Sequence, residues 1–344
     1  MPTLTERIER SWYQPSPLIF ILLPLSGLFW LLSLIIRAFG LIKAKRYNFS
    51  VPVVVVGNIT VGGSGKTPIV IALVEYFQSK GKKVGVVSRG YGGQPHQLPL
   101  VLNKKTAVAD CGDEPLMIYY RTGATVAVDP VRARAVEKVA ELGCDVVISD
   151  DGLQHYGMPR DIELAVVDGE RGFGNGLLLP AGPLREPSMR LRSVDGIILN
   201  GDPDTSTFGD QDEIPENNKT VSDLVVTGIC SLNKAENYPL FGTSTLAQIK
   251  AEVGGVFFAV AGIGHPQRFF DTVQRLGFEV VSKSFPDHHE YSLADFDDRQ
   301  GLPIIMTEKD AVKCVDLGLS SAWVLQVSAQ IPDSFLSWLE QRLS

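Results

Sequence analysis

A glycine-rich turn between an apolar strand and an amphipathic helix constrains this chain more than any other feature of its sequence. Residues 51–56 predict a buried strand, and residues 66–79 predict a helix. The turn between them ends in Gly62-Gly63-Ser64-Gly65-Lys66-Thr67. Glycines allow backbone N–H groups to surround a phosphate, and a helix that begins there directs its positive end at the same anion. The turn therefore predicts nucleotide phosphate binding; a tight turn with no ligand is the alternative.

The residue types in this turn predict individual roles. The generic phosphate loop begins with a glycine where this chain has Thr60, and the rest of the motif is present. Lys66 is expected to reach the β- and γ-phosphates, and Thr67 is expected to ligate Mg²⁺. The candidate nucleotide-binding residues are Thr60, Val61, Gly62, Gly63, Ser64, Gly65, Lys66 and Thr67.

Short apolar runs alternate with amphipathic stretches along the rest of the chain. Further strands are predicted at residues 83–88, 124–128, 145–149, 164–167, 196–199, 255–260 and 303–306. Further helices are predicted at residues 115–121, 130–142, 267–276 and 333–343. This alternation is typical of a mainly parallel sheet with helices on both faces.

Two aspartates follow one of the predicted strands. Asp150 and Asp151 come directly after residues 145–149. The carboxyl ends of parallel strands border the crevice in which such sheets bind ligands, and phosphate-loop enzymes place a Mg²⁺-fixing Asp there. We therefore predict that one of the two serves the metal ion; a turn or capping role is the alternative.

A third aspartate has two interpretations that local sequence does not separate. Asp113 lies in Gly112-Asp113-Glu114-Pro115, at the start of a predicted helix. It is either a helix cap or a base that accepts a hydroxyl proton during phosphoryl transfer. The run Asp287-His288-His289-Glu290 lacks a second histidine at helical spacing, so it indicates a proton-handling histidine rather than a zinc site.

An uncharged apolar segment precedes the strand and turn. Residues 11–36 contain no charged side chain, and Arg37, Lys43, Lys45 and Arg46 follow at once. Such a segment is long enough to cross a bilayer, and the basic cluster predicts that the following domain is cytoplasmic. Prolines at positions 15, 17 and 24 and Gly27 are expected to bend a helix, so a helix in one leaflet is equally consistent. A buried helix of a soluble protein is the remaining alternative.

These patterns predict four consecutive segments. They are a hydrophobic membrane-associated segment at 1–46, a phosphate-loop nucleotide-binding domain at 47–200, a polar linker or loop at 201–222, and a smaller C-terminal domain at 223–344. The predicted fold class is α/β, with a phosphate-loop NTPase-type, mainly parallel sheet and flanking helices in the larger domain.

Charge and cysteine usage exclude two classes of protein. The 344 residues carry a formal net charge of -7, which argues against a nucleic-acid binder because such domains are usually basic. The four cysteines lie far apart and form no Cys-x-x-Cys pair. They indicate buried thiols in a reducing compartment rather than a disulfide scaffold or a zinc knuckle.

The motifs taken together resemble one family over nearly the whole chain, the tetraacyldisaccharide 4′-kinases, which phosphorylate a lipid A precursor in Gram-negative bacteria. The resemblance rests on the apolar segment, the phosphate loop with its Thr60, and Gly112-Asp113-Glu114-Pro115. It also rests on runs that match in order, at residues 88–92, 149–155, 179–186, 261–264, 287–288 and 307–310.

The resemblance implies a specific reaction and specific roles. It implies transfer of the ATP γ-phosphate to the 4′-hydroxyl of a tetraacyldisaccharide 1-phosphate, giving lipid IVA, on the cytoplasmic face (inner leaflet) of the inner membrane. It implies a smaller C-terminal domain that closes over the cleft. Asp113 is then the catalytic base and His288 its support, with Lys66 on the phosphates, while Asp150 and Asp151 serve Mg²⁺ with Thr67. Residues on the lipid side are Arg132, Arg185 and Glu186.

Two other classes remain as alternatives at this point. A membrane-attached nucleotide-hydrolysing switch normally recognises guanine through Asn-Lys-x-Asp, and neither Asn103-Lys104-Lys105-Thr106 nor Asn233-Lys234-Ala235-Glu236 supplies the Asp. A non-catalytic nucleotide-binding subunit of a transport assembly would not need Asp113.

Overall fold

The computed structural model describes residues 4–201, 218–232 and 245–343. The helices are α1 (Leu4–Ser11), α2 (Leu18–Ala44), α3 (Lys66–Ser79), α4 (Val108–Cys111), α5 (Asp113–Thr122), α6 (Arg132–Glu141), α7 (Leu246–Val253), α8 (Pro266–Arg275), α9 (Glu308–Cys314) and α10 (Asp333–Leu343). The strands are β1 (Val53–Gly57), β2 (Val84–Ser88), β3 (Leu100–Val101), β4 (Thr125–Val128), β5 (Val146–Ser149), β6 (Ile162–Asp168), β7 (Gly196–Asn200), β8 (Lys219–Ser231), β9 (Val256–Ala261), β10 (Glu279–Ser284), β11 (Ile304–Thr307) and β12 (Ala322–Gln330).

The chain forms two compact units. The first comprises Met1–Arg89, Val131–Leu224 and Ala329–Ser344, and the second comprises Gly90–Pro130 and Val225–Ser328. These units differ from the consecutive segments that we predicted. Residues 90–130 belong to the second unit and α10 to the first, because contacts between distant residues decide which elements pack together.

The first unit is built on a parallel sheet. Its strands lie in the order β7-β6-β1-β5-β2, and residues 219–222 of β8 pair with β7 in the same direction. The four valines of β1 are fully buried, as a run of apolar β-branched residues predicts for a central strand. The predicted mainly parallel α/β architecture is confirmed.

The second unit has its own sheet and core. Strands β10, β9, β11 and β12 are parallel in that order, and β3 pairs with β4 in antiparallel fashion. Aromatic side chains from β9, α8 and β12 fill the core, including Phe257, Phe269, Phe270 and Trp323. This shared apolar core packs the sheet of the second unit against its helices.

The predicted linker at 201–222 is only partly described. Residues 202–217 lie outside the described residues, whereas residues 219–222 form the beginning of β8. The run Asn233-Lys234-Ala235-Glu236 also lies outside them. α10 packs on the first unit, where Phe335 contacts Gly196 and Glu340 accepts a hydrogen bond of 2.8 Å from the Tyr76 hydroxyl.

The apolar segment forms one long helix. α2 continues through Pro24 and Gly27; most of its apolar side chains are exposed, and none is buried. By length and composition it is long enough to cross a membrane, the one such helix in the described part of the chain. The Ser26 hydroxyl donates to the Leu178 carbonyl (2.9 Å) and accepts from the Ala181 N–H (3.0 Å), so α2 is attached to the first unit at this point.

Candidate functional site

The phosphate loop follows β1, as predicted, and its geometry requires glycine. Gly65 is the N-cap of α3 with φ +77°, and a Cβ at this position would collide with the Asn200 side-chain amide. That amide donates to the Ser64 carbonyl at 3.1 Å. A left-handed φ together with this close approach leaves room for no side chain.

A second segment of the first unit supports the beginning of the loop. The Val61 N–H donates to the Pro183 carbonyl (2.8 Å), and the Arg185 N–H donates to the Ile59 carbonyl (2.6 Å). Thr60 and Leu184 form an antiparallel bridge between these two hydrogen bonds. Residues 183–185, within the run 179–186 that carries the family resemblance, are therefore paired with the beginning of the phosphate loop.

The acidic pair stands beside the loop because β5 and β1 are neighbouring parallel strands. Asp150 is only 1% exposed, and Asp151 has φ +48°, in the left-handed region that Asp tolerates. An Asp151 carboxylate oxygen lies 3.4 Å from the Lys66 ammonium, and the other lies 3.2 Å from the Arg185 guanidinium. Burial raises the pKa of Asp151, but Lys66, Arg185 and Arg132 outweigh it and hold the pKa at about 2. Asp151 is therefore a carboxylate at neutral pH.

The donor set at this edge of the sheet suits Mg²⁺. Thr67 supplies a hydroxyl in the first turn of α3, and Asp150 and Asp151 supply carboxylates. Magnesium takes one or two carboxylates and completes its shell with phosphates and water, so a cage of three protein carboxylates is not needed. No cluster of three or more potential metal ligands occurs among the described residues.

The residues expected on the lipid side have different surroundings. Arg132 is 5% exposed, and its nearest charges include Asp151 and Asp150; burial lowers its pKa. Glu186 is 7% exposed and accepts hydrogen bonds from the Tyr156 hydroxyl and the Gln154 amide (2.9 Å). Arg185 is the most accessible of the three.

The second unit brings Asp113 and His288 together across 175 residues of chain. Asp113 is 5% exposed, and its Oδ2 lies 3.0 Å from His288 Nδ1. His288 has φ +61°, a strained conformation that loops retain mainly where function requires it. The neighbouring His289 instead stacks on Phe285 and lies near Asp295. Of the two candidate histidines, His288 is the one that contacts Asp113.

Two lysines of α9 surround the Asp113 carboxylate. Lys309 Nζ and Lys313 Nζ lie 4.0 and 3.9 Å from Asp113 Oδ2. Burial raises the pKa of Asp113, but the hydrogen bond with His288 and the two lysines lower it below its ordinary value. The same hydrogen bond raises the pKa of His288. The hydrogen bond with His288 and the charges of the two lysines therefore together favour the ionised form of Asp113.

Gly112 sets the position at which α5 begins. It has φ +86°, and a Cβ there would collide with the carbonyl of Tyr91. The Tyr91 ring in turn lies 5.2 Å from the His288 ring. Tyr91, within the run at residues 88–92 that carries the family resemblance, thus packs against the start of α5.

Comparison with known proteins decides the family. The family model described as tetraacyldisaccharide-1-P 4′-kinase matches residues 18–344. The chain belongs to this family. The tetraacyldisaccharide 4′-kinase of Vibrio parahaemolyticus is 46% identical to this chain, over 94% of this chain and 92% of its own length. That of Hahella chejuensis is 43% identical, over 98% of this chain and 96% of its own length. The crystal structure of LpxK from Aquifex aeolicus in complex with ATP is 27% identical, with a TM-score of 0.72 over 95% of this chain and 100% of that one.

The sequence reasoning missed several residues of this tetraacyldisaccharide 4′-kinase family member. The sequence assigned no role to Lys309, although it lies in the run 307–310 that carries the resemblance, and it assigned none to Lys313. The helical spacing of four residues between them was the available signal, because it places both ammonium groups on one face of α9. Tyr156, whose hydroxyl donates to Glu186, lies in no sequence pattern that indicates this contact.

Proposed function

We propose that this chain transfers the γ-phosphate of ATP to the 4′-hydroxyl of a tetraacyldisaccharide 1-phosphate, giving lipid IVA in lipid A biosynthesis. Membership of the kinase family supports the reaction. The observation that carries the phosphotransferase assignment is the buried Asp113 carboxylate hydrogen-bonded to His288 at 3.0 Å. A non-catalytic nucleotide-binding subunit has no need for such a proton acceptor, and neither candidate Asn-Lys-x-Asp run supplies the Asp with which a switch normally recognises guanine.

The first unit binds the nucleotide in this proposal. Backbone N–H groups of residues 62–67 and the Lys66 ammonium bind the phosphates, while Arg185 keeps Asp151 oriented beside Lys66. Mg²⁺ would be held by Thr67 and one of Asp150 and Asp151. When bound, it would neutralise charge on the phosphate oxygens.

The second unit supplies the proton acceptor. Asp113 accepts the proton of the sugar hydroxyl as the oxygen bonds to phosphorus and the bond to ADP breaks. His288 orients the carboxylate, and its hydrogen bond together with the positive charges of Lys309 and Lys313 lowers the pKa of Asp113 and favours the carboxylate form. Positioning of this kind is the main contribution that a protein makes to phosphoryl transfer.

The lipid substrate and the location follow from the same assignment. Arg185, Glu186 and Arg132 are proposed on the lipid side, with Arg185 making the direct contact since the other two are buried. The exposed apolar surface of α2 supports attachment to a membrane. We place the protein on the cytoplasmic face of the inner membrane of a Gram-negative bacterium, as its basic residues 37–46 indicate.

Transfer of label from γ-labelled ATP tests the proposal. The purified chain is incubated with Mg²⁺ and vesicles that contain tetraacyldisaccharide 1-phosphate, and the Lys66→Ala variant serves as the inactive control. Label is expected in the lipid, with the variant retaining less than about a tenth of kcat because several kcal/mol of phosphate stabilisation are lost. Label appearing only as inorganic phosphate would refute a kinase and favour the hydrolytic switch.

A further inference from the structure

A turn of the first unit brings an arginine next to the phosphate loop. β6 is the other neighbour of β1, so the turn at its carboxyl end lies beside the loop that follows β1. In that turn Asp168 Oδ1 accepts the backbone N–H groups of Glu170 (3.0 Å) and Arg171 (3.1 Å). The turn is therefore fixed by hydrogen bonds, and it determines where the Arg171 side chain begins.

The Arg171 guanidinium is held at Gly62. A Cβ at Gly62 would lie 2.9 Å from Arg171 Nη1, which puts the guanidinium on the face of the loop where no side chain stands. Nη2 donates to the Tyr13 hydroxyl at 2.9 Å, and the guanidinium carbon lies 5.0 Å from the centre of the Tyr13 ring. Gly62 is exposed and Arg171 is half-buried, so this cation is both positioned and accessible.

We propose that Arg171 binds the γ-phosphate of ATP and that Tyr13 positions it. This inference rests on the proposed ATP-dependent function. Lys66 and Arg185 already interact with Asp151, whereas no carboxylate in residues 4–201, 218–232 or 245–343 forms an ion pair with Arg171. An arginine has five N–H donors, so the hydrogen bond to Tyr13 leaves others for phosphate oxygens. An arginine supplied by the same chain stabilises the charge of a transferring phosphoryl group.

Tyr13 links this cation to the N-terminal segment. It lies between α1 and α2, next to Trp12, whose indole N–H donates to the Pro180 carbonyl at 2.9 Å. The N-terminal segment that includes α2 therefore contacts Arg171, the proposed γ-phosphate ligand, through the side chain of Tyr13. A change at Tyr13 is expected to alter ATP binding although Tyr13 itself does not touch ATP.

Nucleotide binding to the full-length chain in detergent micelles tests the assignment. Dissociation constants for ATP and ADP are measured for the wild type, Arg171→Ala, Arg171→Lys and Tyr13→Phe, with the exposed Arg192→Ala as the matched control. Arg171→Ala is expected to weaken ATP binding by about tenfold or more and ADP binding much less, and to lower kcat by about a hundredfold or more. Arg171→Lys is expected to recover part of both, since it keeps the charge but not the planar fork.

Tyr13→Phe is expected to weaken ATP binding by a few-fold and to have no further effect in the Arg171→Ala background, because it acts only through Arg171. ATP binding and kcat of Arg171→Ala within twofold of wild type would overturn the proposal, as would equal losses for ATP and ADP.

The binding measurement needs no lipid. A wild type that binds ATP through Arg171 but does not phosphorylate the lipid would therefore refute the proposed reaction and leave the Arg171 assignment standing.

Discussion

The two oxygens of Asp113 serve two purposes. Oδ1 accepts the backbone N–H of Glu114 at 2.9 Å, at the start of α5, and Oδ2 faces His288. Oδ1 therefore contributes to the first turn of α5, and the chemical interpretation of the sequence concerns Oδ2. The N-cap itself is Gly112, so Asp113 is the first residue of the helix and not its cap.

Replacing Asp113 with Asn separates the two purposes. Asn retains an oxygen for the Glu114 N–H but does not accept the hydroxyl proton. We expect kcat to fall by about 10²–10⁴ while the dissociation constant for ATP stays unchanged. Asp333→Asn, which changes an exposed acid in the first turn of α10, is the matched control and is expected to be fully active. Normal turnover of Asp113→Asn would remove this residue from the mechanism.

The Asp113–His288 pair also makes stability depend on pH. The pKa of His288 is raised above 6.5, so its contribution is complete below that value and is lost as the pH rises through the folded-state pKa. The pKa of Asp113 is lowered below 3.8, so its contribution is complete above that value and is lost as the pH falls through the folded-state pKa. The pair therefore stabilises the fold most between these two ordinary values.

Melting temperatures of wild type and His288→Gln check this window. The melting temperature of the wild type is expected to exceed that of the variant more at about pH 5.5 than at about pH 9, because the charge on His288 is lost as the pH rises through its raised folded-state pKa. His289→Gln, whose ring contacts Asp295 instead, controls for loss of a neighbouring histidine. A difference that does not change between the two pH values would contradict a charged pair.

At the scale of elements, the start of α5 depends on close backbone packing. Gly112→Ala would place a methyl group against the Tyr91 carbonyl and force a non-glycine residue into a left-handed φ. We expect the variant to lose roughly 2 kcal/mol or more of unfolding free energy and to lose activity with it. Unfolding monitored by circular dichroism provides the measurement.

Gly81→Ala, in the turn after α3, is the matched control for Gly112→Ala. Gly81 also has a positive φ, but a Cβ there meets nothing within 4 Å. The control should therefore show the backbone cost alone, about 1 kcal/mol. If both variants are equally stable, contact with Tyr91 does not determine where α5 begins.

For the whole molecule, the exposed face of α2 is the feature that predicts attachment to membranes. Leu28, Leu31 and Ile35 are 53%, 53% and 45% exposed and lie at helical spacing on the same side. Changing all three to Glu is expected to reduce binding to anionic vesicles more than about tenfold, since charge is costly in an apolar membrane environment. Flotation with vesicles measures the bound fraction.

Changing the same three residues to Ala controls for lost side-chain volume and should give a smaller loss. Both variants are expected to keep the wild-type affinity for ATP, because the phosphate loop lies between β1 and α3 and all three substitutions fall within α2. Flotation of the Glu variant equal to that of wild type would show that the attachment surface lies elsewhere.

The sequence alone determined those helices and strands whose residues show a clear local hydrophobic pattern. The bounds of α3 and α10 match the prediction, and β1, β2 and β5 agree within two residues, because buried valine runs and helical periodicity are local signals. The phosphate loop and the family membership could also be predicted from the sequence, since each motif that indicates them is a contiguous run of residues. Strands β3, β8, β10 and β12 were missed. In β8 and β10, exposed polar residues interrupt the apolar positions.

Only the tertiary structure decided which distant residues meet. His288 reaches Asp113 across 175 positions, and Arg171 reaches Tyr13 across 158. It also decided that residues 90–130 join the second unit and that Glu186 is buried against Tyr156. Such contacts depend on strand order and on the packing of helices against sheets, and neither is encoded in the spacing of residues along the chain.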